Sequence, residues 1–366
     1  MSELHKILSA SLIGALSLFA PRGAEASVDG TCASWGQPVQ AGVVEDESVD
    51  QLSGLAASHA WPGVLWAQED AGEEAKLLVL ASNGEKLGRI DVTGATNTDW
   101  EDLALGPCTA LEAEEACACL YIADIGGNNL NRTEGVIWRL PEPDPEDDVT
   151  AEATAIRFRY PDDGHDAEAL IVLPGSGELF ILTKEVGFPA QLFTFDGPGD
   201  PDRTTDLRLV GTLDLEALGA ESESVTGATV SPLGDRLIVR TNDDLLLFPI
   251  TGGDVAGAIT SPAELLPAPV GGDGEAAAFD PDGQTLTLIA EGSAPDVWTV
   301  TCADFDEVGR QDPDGLGTCA AGDPAQKGCG CASRAGGWSN LLVSAALAAI
   351  FFLQRRTFVG KIKAIS

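Results

Sequence analysis

The chain has 366 residues, with 58 Asp and Glu against 21 Lys and Arg, three His, eight Cys and a formal charge of −37. The first 26 residues are charge-balanced and five basic residues follow Cys331, so residues 27–331 carry a net charge of about −42. So acidic a body repels nucleic acid and anionic lipid surfaces, which removes DNA and RNA from the partner classes and leaves cations in.

In chain order, Lys6 precedes an apolar run from Ile7 to Ala20, and Ala24-Glu25-Ala26 offers small residues for cleavage. These are the parts of a signal peptide over residues 1–26. Export makes disulfides the expected state of the cysteines. Pro38–Val44, "PVQAGVV", then reads as a lone strand.

Five short segments follow: "SGLAAS" from Ser53, "EDLALG" from Glu101, "EALIVL" from Glu168, "TGATVS" from Thr226 and "EAAAFD" from Glu275. Each is followed by a turn rich in Gly, Pro or Asp and a stronger β run, such as "CLYIADIG" or "TLTLIAEG". Third strands follow in all five units, and fourth strands in four of them. The spacings of 48, 67, 58 and 49 residues suit four-stranded units. The pattern predicts an all-β fold over residues 27–302: a single β-propeller of five four-stranded blades. Pro38–Val44 would supply the fourth strand of the last blade and close the ring. Six blades stay open because of the 67-residue spacing, and a β-sandwich is the other all-β solution. Closure brings Cys32 within reach of Cys302, and Cys108 is expected to pair with Cys119 or Cys117.

In such a ring, the loops entering the innermost strands share a face with the loops joining second to third strands. Those loops carry Asp99, Glu101, Asp102, His165, Asp166, Glu168, Glu221, Glu223, Asp273 and Glu275. The second set adds Glu69, Asp70, Asp124, Asn128, Asn129, Lys184, Glu185, Asn242, Asp243 and Glu291. Crowded carboxylates take up protons or hold a cation. Oxygen donors with almost no histidine suit Ca²⁺ or Mg²⁺, so Glu101, Asp124, Asn128, Glu168, Glu275 and Glu291 are candidate ligands for Ca²⁺. A merely solvated acidic face is the alternative. Asp99, Trp100, Asp102, His165, Lys184 and Arg240 complete the candidate binding face.

Asp99-Trp100-Glu101-Asp102, Tyr121-Ile122-Ala123-Asp124-Ile125-Gly126, Asn128, Arg132 and Trp138 resemble a motif of bacterial exported propellers of the phytase-like and esterase-like kind. Gly127 departs from it, standing where the pattern has Asp. The resemblance implies a propeller over residues 45–300 and admits calcium-dependent hydrolysis of phosphoric or carboxylic esters. Lys184, Arg240 and Arg132 are the basic residues available as phosphate clamps. No Gly-x-Ser-x-Gly elbow is present, and a triad would have to rest on His59 or His165.

Residues 303–328 read as an acidic Gly/Pro-rich linker. The last stretch, 329–366, joins Cys329 and Cys331 to an apolar run from Trp338 to Leu353 and the pair Arg355-Arg356. This order resembles the MYXO-CTERM sorting tails of myxobacterial surface proteins, although Thr357–Ser366 extends past the usual end. The resemblance implies display at the cell surface or, without processing, a single transmembrane anchor. The sequence thus points to an exported propeller that binds a protein or glycan partner through an acidic channel face, with Ca²⁺ as a candidate structural ion. Ester hydrolysis is the competing activity.

Overall fold

The repeats fold as five antiparallel sheets, each beginning with an innermost strand of small or apolar residues. The computed structural model describes residues 32–303 except 33, 47, 71, 73, 109–117, 129, 131, 146–149, 185, 187–188 and 198. The signal segment, linker and tail, with Cys329, Cys331, Arg355 and Arg356, lie outside these residues. No helix among the described residues is long and apolar enough to cross a membrane.

The inner strands are Leu52–Ala57, Trp100–Gly106, Ala167–Val172, Val225–Val230 and Gly274–Phe279. In each blade the inner strand pairs with the second, the second with the third, and the third with the fourth. Inner strands are buried on both sides, whereas outer ones alternate. In Thr154–Arg159, Ile156 and Phe158 are buried and Arg157 and Arg159 point outward. That alternation fits a sheet with one face on the core. The apolar faces of neighbouring blades pack together, as where Trp66, Trp100 and Trp138 meet between blades 1 and 2. Full burial of such side chains contributes roughly 1.5–3 kcal/mol each.

The fifth blade is closed by the N-terminal segment. Val39–Val43 pairs antiparallel with Asp296–Thr299, and Ser34–Trp35 with Cys302–Ala303. Cys32 bonds Cys302 with 5.6 Å between Cα atoms, and Cys108 bonds Cys119 at 5.0 Å, which leaves Cys117 out of that bridge. The long 67-residue spacing holds no sixth blade. It holds the longer third strand Glu134–Pro141 and an added edge strand, Thr150–Glu152.

Blade edges are covered by neighbours. Thr150–Glu152 runs parallel along the outer strand of blade 1, Thr205–Asp206 along that of blade 2, and the helix Val255–Ile259 packs on that of blade 3. Blade 4 ends in the short strand Glu264–Leu266, followed by Pro267 and Pro269, which have no N–H to offer. The Asn83-Gly84 turn seats against Val39–Val43. Gly84 has φ +86°, and a Cβ there would lie 2.4 Å from the Val43 carbonyl oxygen. Asp46, just past the closing strand, accepts from Lys86 at 2.7 Å and Arg89 at 3.1 Å, which holds its carboxyl well below the usual range.

The two disulfides close loops of very different length, spanning 270 and 11 residues. Chain-entropy reasoning gives about 5 kcal/mol for the ring-closing bond and about 3 kcal/mol for the local one. Replacing Cys32 and Cys302 together by Ser is expected to lower Tm more than replacing Cys108 and Cys119. Equal losses in thermal denaturation would refute closure as the dominant stabilising link.

Candidate functional site: an acidic channel mouth

All five inner strands shift register after their first residue. The shift leaves Ser53, Glu101, Glu168, Thr226 and Glu275 as bulge residues at equivalent positions in the five blades. A bulge re-aims the side chain it carries. Where the residue is Ser or Thr, the hydroxyl donates to the next blade. Ser53 Oγ bonds the Glu101 carbonyl at 2.5 Å and Thr226 Oγ1 the Gly274 carbonyl at 2.7 Å. The other three positions hold glutamates, and these are the heart of the site.

One residue deeper the channel is filled. Asp102 is 1 % exposed, and its carboxylate accepts from three blades: Leu103 N at 2.8 Å, Leu170 N at 2.8 Å and Ala228 N at 3.3 Å. Burial pushes its pKa well up, and the three amides oppose that. Blades 1 and 4 carry glycine at this level, Gly54 and Gly227, opposite the buried side chains of Gln68 and Arg240. Channel space left by an absent side chain is thus taken from the second strand.

At the mouth, the carboxyls of Glu101 and Glu168 hydrogen-bond each other, so a proton lies between them. Burial and the neighbouring Glu168 charge push Glu101 well above the usual carboxyl range. Burial brings Glu168 to about 6, a rise limited by Lys184, whose Nζ sits 2.7 Å from Glu168 Oε1. Burial and the Glu168 charge push Glu275 up to about 8, and burial and Asp70 bring Asp99 to about 6. Burial works against the Lys184 charge, but Glu168, Glu275 and Asp166 outweigh it and raise its pKa.

Two overlapping triplets converge here: Asp70, Asp99 and Glu101, and Glu101, Asp166 and Glu168. Each triplet has one oxygen per residue within 4.8 Å of the others. Oxygens that share a calcium ion at roughly 2.4 Å lie at most roughly 4.8 Å apart, so both triplets fit that ion. Gly126 makes room for them, since a Cβ there would lie 1.9 Å from Glu101 Oε1 and 2.7 Å from the Asp99 carboxyl.

The structure places the remaining candidates unevenly. Trp100 is a core residue, 0 % exposed, with its indole N–H on the Thr96 carbonyl at 3.0 Å. Asp102 is likewise buried, so neither forms part of an accessible face. Asp124 is engaged by the Arg132 guanidinium and accepts from Asp99 N at 3.2 Å. Its carboxylate organises the loop and stays outside both triplets. Asn128 is exposed, and Glu291 lies toward solvent, its pKa raised by partial burial and by Asp70. His165 packs between Tyr160 and Phe193, 4.6 and 5.0 Å away, with Nε2 on Asp162 at 3.0 Å. Arg240 is buried against the Ala276 carbonyl, and burial lowers its pKa to about 10. Of the basic residues considered as phosphate clamps, Lys184 alone has its charge at the mouth. Blade 4's Glu221, Glu223 and Asp243 remain exposed. Asn129 and Glu185 lie outside the described residues.

Gly127, the departure from the propeller motif, has a physical reason. A Cβ there would lie 2.5 Å from the His165 carbonyl oxygen, so an Asp has no room. Its amide donates instead to Asp166 at 2.7 Å, which brings a carboxylate from blade 3 to the loop that lost one. Asn97 went unnoticed in the sequence. It donates to the Glu69 and Asp70 carbonyls at 3.1 and 2.8 Å and accepts from Trp100 N, tying blades 1 and 2 at the mouth. Its Asn-x-x-Trp spacing within "TNTDWED" was the only local sign.

No family model matches the chain, and no curated protein matches it. Among solved structures, it is similar to the gluconolactonase XC5397 of Xanthomonas campestris at 13 % identity and TM-score 0.42, over 75 % of this chain and 97 % of that one. The WD40 repeats of RRP9 share 9 % identity at TM-score 0.40, over 74 % of this chain and all of that one. These likenesses concern the fold alone.

Two outcomes follow from the mouth. Folded-state pKa values above those of the unfolded chain mean that folding takes up protons. The stability from Glu168 and Glu275 is full below their unfolded value of 4.5 and is lost as pH rises through about 6 and about 8. In chelator, Tm should therefore fall between pH 5 and 8.5, and a rising Tm would contradict the assignment. Separately, Asp102→Asn puts an N–H₂ against backbone donors and should cost about 1–3 kcal/mol in denaturant unfolding. An unchanged midpoint would show that the three amide bonds do not matter.

Proposed function

We propose that this protein is an exported, surface-displayed propeller that binds a protein or glycan partner through its acidic channel mouth, with Ca²⁺ held by Glu101 and its neighbours. The observation that carries this reading is the pair of carboxylate triplets that share Glu101. Desolvated carboxylates so close are unfavourable when all are charged, and a divalent ion relieves both burial and repulsion. Calcium takes six to eight oxygens, so three or four carboxylates leave positions for the hydroxyls of a sugar or the carbonyls of a polypeptide. The two disulfides fit an oxidising compartment. Display through Cys329, Cys331 and Arg355-Arg356 rests on the resemblance of the tail.

Calcium-dependent ester hydrolysis is the competing reading. The burial of Arg240 and the engagement of Arg132 with Asp124 weigh against a phosphate clamp at this mouth.

The test is Tm of the full chain with Ca²⁺ or chelator, for wild type, Glu101→Gln and Glu168→Gln. At a hundredfold excess over Kd, calcium should add about 2.7 kcal/mol to wild type and little to either variant. No calcium response in wild type would defeat the metal assignment. Turnover of generic phosphate or carboxylate esters, abolished by chelator, would favour the hydrolase over the binding module.

A further inference from the structure

The channel differs at its two ends. Where the inner strands finish, Ala57, Leu105, Val172, Pro232 and Phe279 line a cavity of about 40 Å³, and the imidazole of His59 faces it. Asp102 lies just above, one residue before Leu103, which also lines the cavity. No charged side chain contributes to the lining. His59 makes no hydrogen bond to a described residue, and burial alone pushes its pKa down to about 4. At neutral pH it therefore offers one donor and one acceptor nitrogen. Thr229, the other polar side chain of the lining, already accepts from the Phe279 amide at 3.3 Å.

The space exceeds the roughly 10–15 Å³ that one water needs, but buried waters require about three polar partners, and the cavity supplies few. A carboxylate or ammonium would lose its hydration with nothing to pair it. An aliphatic group with one hydroxyl meets both demands: its carbons cover the apolar lining, and its hydroxyl reaches the imidazole. We propose that the lower cavity is a second ligand site, separate from the acidic mouth, for a small uncharged aliphatic group bearing one hydroxyl. The inference does not depend on calcium or on any partner of the upper face.

The three histidines make the test simple. In the full chain carrying ¹³Cε1-labelled histidine, only His5, His59 and His165 give signals. Titration with 2-butanol at pH 7 should shift the His59 signal saturably and leave His165, packed between Tyr160 and Phe193, unmoved. Isobutyrate, of similar shape but charged, should leave the His59 signal in place. Ala278→Val, which fills part of the cavity, should weaken alcohol binding about tenfold, a change worth about 1.4 kcal/mol. Ala57→Val is the second variant, and a native His165 signal shows that either one has folded. A non-saturating drift shared by His59 and His165, an equal response to isobutyrate, or undiminished affinity in a folded variant would overturn the proposal.

Discussion

Five inner strands meet on an axis so narrow that one carboxylate, Asp102, reaches backbone amides in two other blades. Convergence of this kind dictates composition. Inner strands run as "LSGLAA" or "GEAAAF" because anything larger would collide across the axis, and a Cβ on Gly54 would lie 2.6 Å from the Leu103 amide. It also leaves no wide pore. Polar groups near the axis must find partners in the protein or hold something that satisfies them.

The mouth inherits its electrostatics from that geometry. The bulge in each inner strand turns one side chain toward the axis just where solvent gives way to protein. Ser53 and Thr226 answer by donating to the adjacent blade, which costs little. Glu101, Glu168 and Glu275 cannot donate unless protonated, and their raised pKa values follow from burial beside like charge. Lys184 neutralises one side of the cluster and leaves the side shared by Asp70, Asp99 and Glu101 in need of a cation.

Much of the fold was legible in the sequence because it is written in short-range pattern. Repeated "small–apolar, turn, β run" units announced the blades, and the unmatched strand at Pro38–Val44 announced the closure that Val39–Val43 makes with Asp296–Thr299. The carboxylate site was legible in part: loop position put Glu101 and Glu168 on one face, and they do meet. What could not be read is depth. Trp100 and Asp102 flank Glu101 in sequence, yet the pleat and bulge send one into the interblade core and the other down the axis. Arg240 is invisible as a channel filler unless Gly227 is known to lie opposite it. The five-blade acidic ring is lopsided for the same reason, since blade 4's loops hold their acids out in solvent.

The seam between Val39–Val43 and Asp296–Ala303 also governs the order of assembly. The strand made first pairs with the strand made last, about as non-local a contact as a chain of this length allows. Closing so long a loop costs entropy before it returns any contact, so the seam forms late. Until then Val44, Val49 and Leu52 lack the blade 5 side of their core, and an open ring has two free edges. The same seam is the natural place for the ring to part. Its hydrogen bonds and the Cys32–Cys302 link therefore bear on how long the folded ring persists as well as on how stable it is.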